Sequence, residues 1–123
     1  MIARDAAEVY AFAADPENLP RWAAGLAQSD VRRGGSALVA QSPMGEVSFT
    51  FAPHNAFGVL DHDVRLPSGQ VVHNPLRVIP HPEGSEIVFT LRQRDLTDEE
   101  FERDAAAIRQ DLEQLRALLD EGV

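Results

Sequence analysis

"GVLDHDVRLPSGQVVHNPLRVI", residues 58–79, decides how this chain folds. Two runs of alternating apolar and polar residues flank Pro67-Ser68-Gly69. Proline presets the first torsion of a turn, and glycine accepts the left-handed conformation that closes it. A period of two marks a strand with one buried face, so the stretch is predicted to form an antiparallel hairpin of strands 58–66 and 70–79. With Gly69 in the left-handed position of a short loop, Leu66 pairs with Gln70. Counting back along both strands then sets His62 opposite Asn74. Leu60, His62, Val64 and Leu66 share one face, while Val59, Asp61, Asp63 and Arg65 share the other. The apolar set turns to the core, so His62 points inward and both aspartates point to water. On the facing strand Val72, Asn74, Leu76 and Val78 point inward, and His73 and Arg77 outward. The triplet Asp61-His62-Asp63 therefore cannot close around one metal ion. His54, His73 and His81 have no spacing that gathers three ligands, so no metal site is expected.

The same period continues on both sides. Further strands are predicted at 30–33, 37–41, 46–51 and 86–92, separated by Gly34-Gly35, Pro43-Met44-Gly45, Pro53-His54-Asn55 and Pro82-Glu83-Gly84. Loops this short join antiparallel neighbours, which makes the middle of the chain a six-stranded meander. Before it, Asp5 and Glu8 have the spacing of a capping box, and Ala6, Val9, Tyr10 and Ala13 share a helix face. Pro16 stops that helix, and Pro20 suits the first turn of a second short one running through Arg21, Trp22, Ala23 and Ala24. After the meander, Thr97 and Glu100 form another capping box. Phe101, Ala105, Ile108, Leu112, Leu115 and Leu119 then make one apolar stripe, opposite Glu102, Arg103, Arg109, Glu113 and Arg116. Gly122 is the expected terminator. Such a helix must bury its stripe, and the concave face of the sheet is the large apolar surface able to receive it.

Composition narrows the function. The 123 residues suit a single domain, 1–123. The absence of cysteine excludes disulfides, thiolate ligands and a cysteine nucleophile. Eleven basic against twenty acidic residues leave a net charge of −9, with no basic run, and phosphate backbones would repel that surface. The acidic cluster Thr97–Asp104 complements a helix dipole, which is its structural reading. No apolar run approaches the roughly 20 residues of a membrane helix, and the first residues lack a signal peptide's order of charge and apolarity. A soluble, cytoplasmic protein is expected. No glycine-rich phosphate loop is present, and no cofactor is expected.

The element order and three stretches carry a family likeness: "AEVYAFAADPENLPRWAAGL" at 7–26, "LPSGQVVHNPLRVIPHPEGSEIVFTLR" at 66–92 and "TDEEFERDAAAI" at 97–108. They resemble bacterial members of the START/polyketide-cyclase-like (SRPBCC) superfamily along nearly the whole chain. The resemblance implies the α+β helix-grip fold: a curved antiparallel sheet of about six strands around a long C-terminal helix, with two short helices over one end. It also implies a deep, mostly apolar cavity between sheet and helix, and no shared catalytic motif. One feature departs from the family, whose members begin with a strand before the first helix. Here only Met1-Ile2-Ala3 precede Arg4-Asp5, and three residues span at most about 10 Å against about 17–20 Å for an ordinary strand. Either the chain starts further upstream, or an open sheet edge is left. A homodimer or a looser fold is the expectation in the second case.

Inside such a cavity, Phe49, Phe51, Leu60, Val64 and Leu76 would form the wall with Phe89, facing Ile108 and Leu112 of the helix. His62 and Asn74 would be its polar pair, with Trp22 and Tyr10 reaching in from the short helices. Trp22 can equally be plain core. Buried polar groups need partners, so His62 and Asn74 bond each other, hold a water or meet a ligand's carbonyl or hydroxyl. The leading reading is a binding protein for a small apolar or amphipathic molecule. A second is a cyclase- or dehydratase-like enzyme with His62 as acid/base and Asn74 or Tyr10 as the oxyanion donor. No carboxylate is expected behind His62, which argues against a triad. Ser42, Ser68 and Ser85 read as turn residues and not as nucleophiles. A third reading is a regulatory or interaction subunit whose cavity is vestigial.

Overall fold

The computed structural model describes residues 1–24, 27, 31–34, 37–43 and 45–120. Two helices, α1 (Ala6–Ala14) and α2 (Leu19–Trp22), are joined by a 3-10 turn at Pro16–Asn18. Seven strands follow: β1 (Arg32–Gly34), β2 (Ala37–Ser42), β3 (Gly45–Phe51), β4 (His62–Arg65), β5 (Val71–Asn74), β6 (Leu76–His81) and β7 (Gly84–Phe89). The 23-residue helix α3 (Asp98–Asp120) ends the described chain. Strands β1 to β5 form one antiparallel sheet in chain order, and β6 and β7 form a second antiparallel pair.

The two sheets come from one interrupted hairpin. The expected strand 70–79 is divided into β5 and β6 at Pro75, which lacks the N–H of a ladder residue. Its carbonyl still accepts from Thr90 N at 3.0 Å. The predicted register holds on both sides of the break. His62 pairs with Asn74 and Arg65 with Val71 in the first sheet, while Val59 bridges to Arg77 beyond it. Leu60 N donates to Leu76 O at 2.8 Å and Val78 N to Gly58 O at 2.9 Å, so residues 58–60 tie the sheets into one curved surface. Only glycine fits at 58: φ is +74°, and a Cβ there would lie 2.1 Å from Val78 O. At the hairpin's other end Leu66 N donates to Gln70 O at 2.9 Å and Gly69 has φ +91°, the predicted loop.

Other boundaries move by a few residues. The strand expected at 86–92 runs from Gly84 to Phe89, and the one expected at 30–33 is β1 from Arg32. Asp30, Gly35 and Met44, named in the predicted strands and turns, lie outside the described residues, as does Gly122. The capping box at Thr97 forms reciprocally, with Thr97 N donating to Glu100 Oε1 at 2.9 Å and Glu100 N to Thr97 Oγ1 at 3.1 Å. The Thr97 N–H bond to its charged form, helped by the Thr97 side chain, holds the Glu100 carboxyl below the usual carboxylate range. The box expected at Asp5 does not form: Asp5 makes no side-chain cap bond, and the Glu8 carboxylate turns back to Arg4 at 3.3 Å. A charged neighbour one helical turn away competes successfully for that carboxylate.

The stripe of α3 is inward along its length, but its depth changes. Leu115 and Leu119 are buried with Val9, Leu19, Val47, Phe49 and Leu60 in the core, whereas Phe101, Ala105, Ile108 and Leu112 are half-buried. One end of the sheet is therefore packed solid, and the other is left open beneath the first turns of α3. The short N-terminus is also used. Ile2 is fully buried and exchanges both backbone hydrogen bonds with Ser85 of β7, at 2.8 and 3.0 Å. Arg4 Nε donates to Leu119 O at 2.8 Å, and Ala3 N donates to the Asp120 carboxylate at 3.0 Å, clipping this segment to the end of α3. Beyond Ser85, no segment among the described residues pairs with the outer edge of β7. No described helix is long and apolar enough to cross a membrane.

Candidate functional site

The unpacked end holds a cavity of about 420 Å³ between the sheet and α3, with α2 across one side. Its wall is laid down by strand alternation: Phe51 from β3, Val64 from β4, Val72 from β5, Leu76 from β6 and Phe89 from β7. Ile108 and Leu112 close it from α3, one helical turn apart on the stripe, and Leu19 and Trp22 of α2 close it with Ala23 just after that helix. His62 and Asn74 lie within this apolar lining, on adjacent strands and opposite each other.

The two do not bond each other. His62 Nδ1 lies 3.0 Å from the carbonyl of Leu60 on its own strand, and the ring packs against Phe51 (4.9 Å between centroids) and Phe89 (6.2 Å). A carbonyl only accepts, so Nδ1 carries the proton in this bond and the neutral ring's Nε2 is a bare acceptor. Nε2 has no protein partner among the described residues, and neither does the Asn74 amide. Burial pushes the imidazole pKa below its usual 6.5, because the charged ring loses its water; the Leu60 carbonyl and the nearby Asp61 charge oppose this. The ring is therefore neutral at physiological pH. The arrangement offers one acceptor and one amide, in a wall formed mostly by apolar side chains, to a molecule with matching groups.

The flanking aspartates go elsewhere. Asp63 meets His73 across the hairpin at 2.6 Å on the exposed face. Asp61 departs from its expected place in water: its side chain is 16 % exposed. It accepts from Leu76 N at 3.0 Å, from Arg77 Nε at 2.8 Å and from Arg77 Nη2 at 2.7 Å. Mainly through the Arg77 bond, its carboxyl is held at about 2, below the usual 3.8. The adjacent ladder is opened beside Pro75, and the carboxylate fills the gap.

Three residues expected at the cavity stand outside its lining. Phe49 and Leu60 are 1 % and 2 % exposed in the packed core, one alternation step from the cavity residues Phe51 and His62. Tyr10 is buried in α1, and its hydroxyl serves the loop after β3, accepting from Asn55 N at 3.1 Å beside His54 Nδ1 at 3.4 Å. Trp22 is both core and wall. Its indole N–H is fully buried and lacks an acceptor among the described residues. The serines also differ from expectation, since Ser85 is a fully buried β7 residue and Ser42 ends β2, donating to Gly45 O at 3.0 Å. Only Ser68 is an exposed turn residue, accepting from Gln70 N.

The sequence reading missed the mouth. Arg92, Arg94 and Asp95 line it from the segment after β7, and Asp104 and Asp111 from the flank of α3. The helical pair was legible, because residues seven apart on either side of Ile108 must border its stripe. The segment 92–96 had no such signal: it has no regular period, and Arg94 adopts φ 51°.

A family model described as "Polyketide cyclase / dehydrase and lipid transport" matches residues 1–120. No curated protein matches the chain.

Proposed function

The chain belongs to the polyketide cyclase / dehydrase and lipid transport family, and from that premise we propose that it binds a small amphipathic molecule in the cavity between sheet and α3. The observation that carries this reading is the union of about 420 Å³ of largely apolar space with two polar groups in its wall that have no partner among the described residues, His62 Nε2 and the Asn74 amide. Space of this size lies in the range of small-molecule sites, and few polar groups among apolar ones is their usual composition. A vestigial cavity would instead be filled by side chains. The apolar body of the ligand lies along Phe51, Val64, Leu76, Phe89, Ile108 and Leu112, with Trp22 at one side, and its polar group meets His62 and Asn74.

Native mass spectrometry of the gently purified protein is the test. A retained small molecule, lost or weakened in His62→Ala without any change of product, supports binding. A protein that carries nothing and shifts no fluorescent apolar probe overturns it.

A second reading has one observation in its favour. His62 is neutral, oriented by a backbone carbonyl and open at Nε2, which is the state a general base needs. A cyclase- or dehydratase-like reaction would begin by Nε2 taking a proton from the bound molecule. No carboxylate hydrogen-bonds Nδ1, so the imidazolium formed would be held directly by the Leu60 carbonyl, with the nearby Asp61 charge acting at a distance. A product that disappears in His62→Ala, with circular dichroism unchanged, would favour this enzyme over a carrier.

A further inference from the structure

We propose that the Asp61–Arg77 pair on the outer side of the hairpin sets the tautomer of His62 on the inner side, so that the cavity takes ligands bringing a hydrogen-bond donor: an alcohol, phenol or enol in preference to a ketone or ether. The ligand half of this statement rests on the binding reading above; the tautomer half does not.

The geometry lies in one step of the ladder. Residues 60 and 76 face each other where a regular antiparallel pair exchanges two backbone bonds. Only one is made, from Leu60 N to Leu76 O. The N–H of Leu76 goes instead to Asp61 Oδ1, and Arg77 grips the same carboxylate with two donors, a fork that fixes its position. The carbonyl of Leu60, left without its ladder donor, accepts the His62 ring nitrogen. Asp61 thus takes the donor and His62 takes the acceptor of a single displaced bond. Pro75 sits between Asn74 and Leu76 at this point, where the two named sheets divide. The exposed Asp63–His73 pair makes no such contact with the ladder.

The consequence follows from the inventory of imidazole. Nδ1–H is committed to Leu60 O, so Nε2 can only accept while the ring is neutral. Burial among Phe51 and Phe89 keeps it neutral. A ligand ketone or ether would place one acceptor against another, whereas a hydroxyl completes the bond. Truncating Asp61 returns the Leu76 N–H to Leu60 O, and Nδ1 then loses its sole claim on that carbonyl.

Long-range proton–nitrogen NMR of the unliganded protein reads the two ring nitrogens directly. The expected result is a single Nδ1–H form of His62 in the wild type, an increased share of the Nε2–H form in Asp61→Ala, and recovery of the wild-type form in Asp61→Asn, which keeps an acceptor for Leu76 N. An Nε2–H wild type, or an Asp61→Ala variant with the wild-type tautomer, overturns the proposal. If Asp61→Ala does not fold, β-naphthol and its methyl ether decide it in the wild type. The phenol should bind roughly tenfold more tightly, the worth of one net hydrogen bond plus an unmet acceptor. Equal affinities overturn the donor preference. If neither compound binds while the tautomer is as stated, the cavity-binding reading has failed and the positioning role of Asp61 stands.

Discussion

Replacing Gly84 by alanine tests how much of the fold depends on its first three residues. A Cβ at position 84 would lie 2.2 Å from Ile2 O and 3.2 Å from both Ala3 Cα and Arg4 N. These neighbours are backbone, so they cannot rotate away; the N-terminal segment must move by about 1 Å to reach ordinary contact. That displacement breaks the Ile2–Ser85 exchange at 2.8 and 3.0 Å, worth about 1 kcal/mol per bond. It also withdraws the fully buried Ile2 side chain, worth about 2–3 kcal/mol. The φ of +149° adds about 1 kcal/mol of strain for any side chain. The expected loss is about 5–6 kcal/mol, a large part of an ordinary domain's stability. Gly69→Ala is the internal control, since its φ of +91° imposes strain but nothing lies within 4 Å of the added carbon. It should cost only about 1 kcal/mol. Urea unfolding of both variants gives the difference, and amide exchange at Ser85 reports the bridge itself. If Gly84→Ala costs no more than Gly69→Ala, or the wild-type Ser85 amide exchanges freely, the N-terminal bridge does not hold β7 and the reasoning fails.

Three further outcomes are expected. His62 has a folded pKa below its unfolded value, so stability falls as pH drops below about 6.5 and levels off once both states are charged; urea midpoints across this window should lose part of that slope in His62→Leu. Asp61 has a folded pKa of about 2 against 3.8, so its pairing stabilises the fold above about pH 4 and is lost as pH falls toward 2. Arg77→Gln should move the carboxyl titration, followed by carbon NMR, back toward 3.8; a wild-type titration already at 3.8 would remove the ion pair as its cause. Leu112→Trp extends a cavity-wall side chain into the empty space and should weaken β-naphthol binding at least about tenfold while costing less than about 1.5 kcal/mol in urea unfolding. Unchanged binding would put the ligand elsewhere.

Most of the fold was legible because local patterns carry it. The alternation in residues 58–66 identified His62 as an inward residue, and one turn of known geometry was enough to place Asn74 opposite it. The six-position stripe of α3 is inward in the structure as spaced in the sequence. Less of the site could be read. Phe49 and Phe51 lie on the same face of one strand, yet only Phe51 reaches the cavity. Facing direction is a local property, but depth along an element depends on which distant side chains arrive to fill the space.

By itself the sequence determined direction and order: which residues pair across the hairpin, which faces turn inward, and that the long helix must lie on the sheet. Periods and turn torsions are properties of neighbouring residues, so they survive without coordinates. Only the tertiary structure decided where packing stops and the cavity begins, because Leu115 and Leu119 find partners while Ile108 and Leu112 border space. It also decided the meaning of Asp61. Its carboxylate, assigned to water by alternation, curls back to a backbone amide that Pro75 and the bend of the sheet bring within reach. An interaction between side chain and distant backbone has no period, and it becomes visible only when the chain is folded.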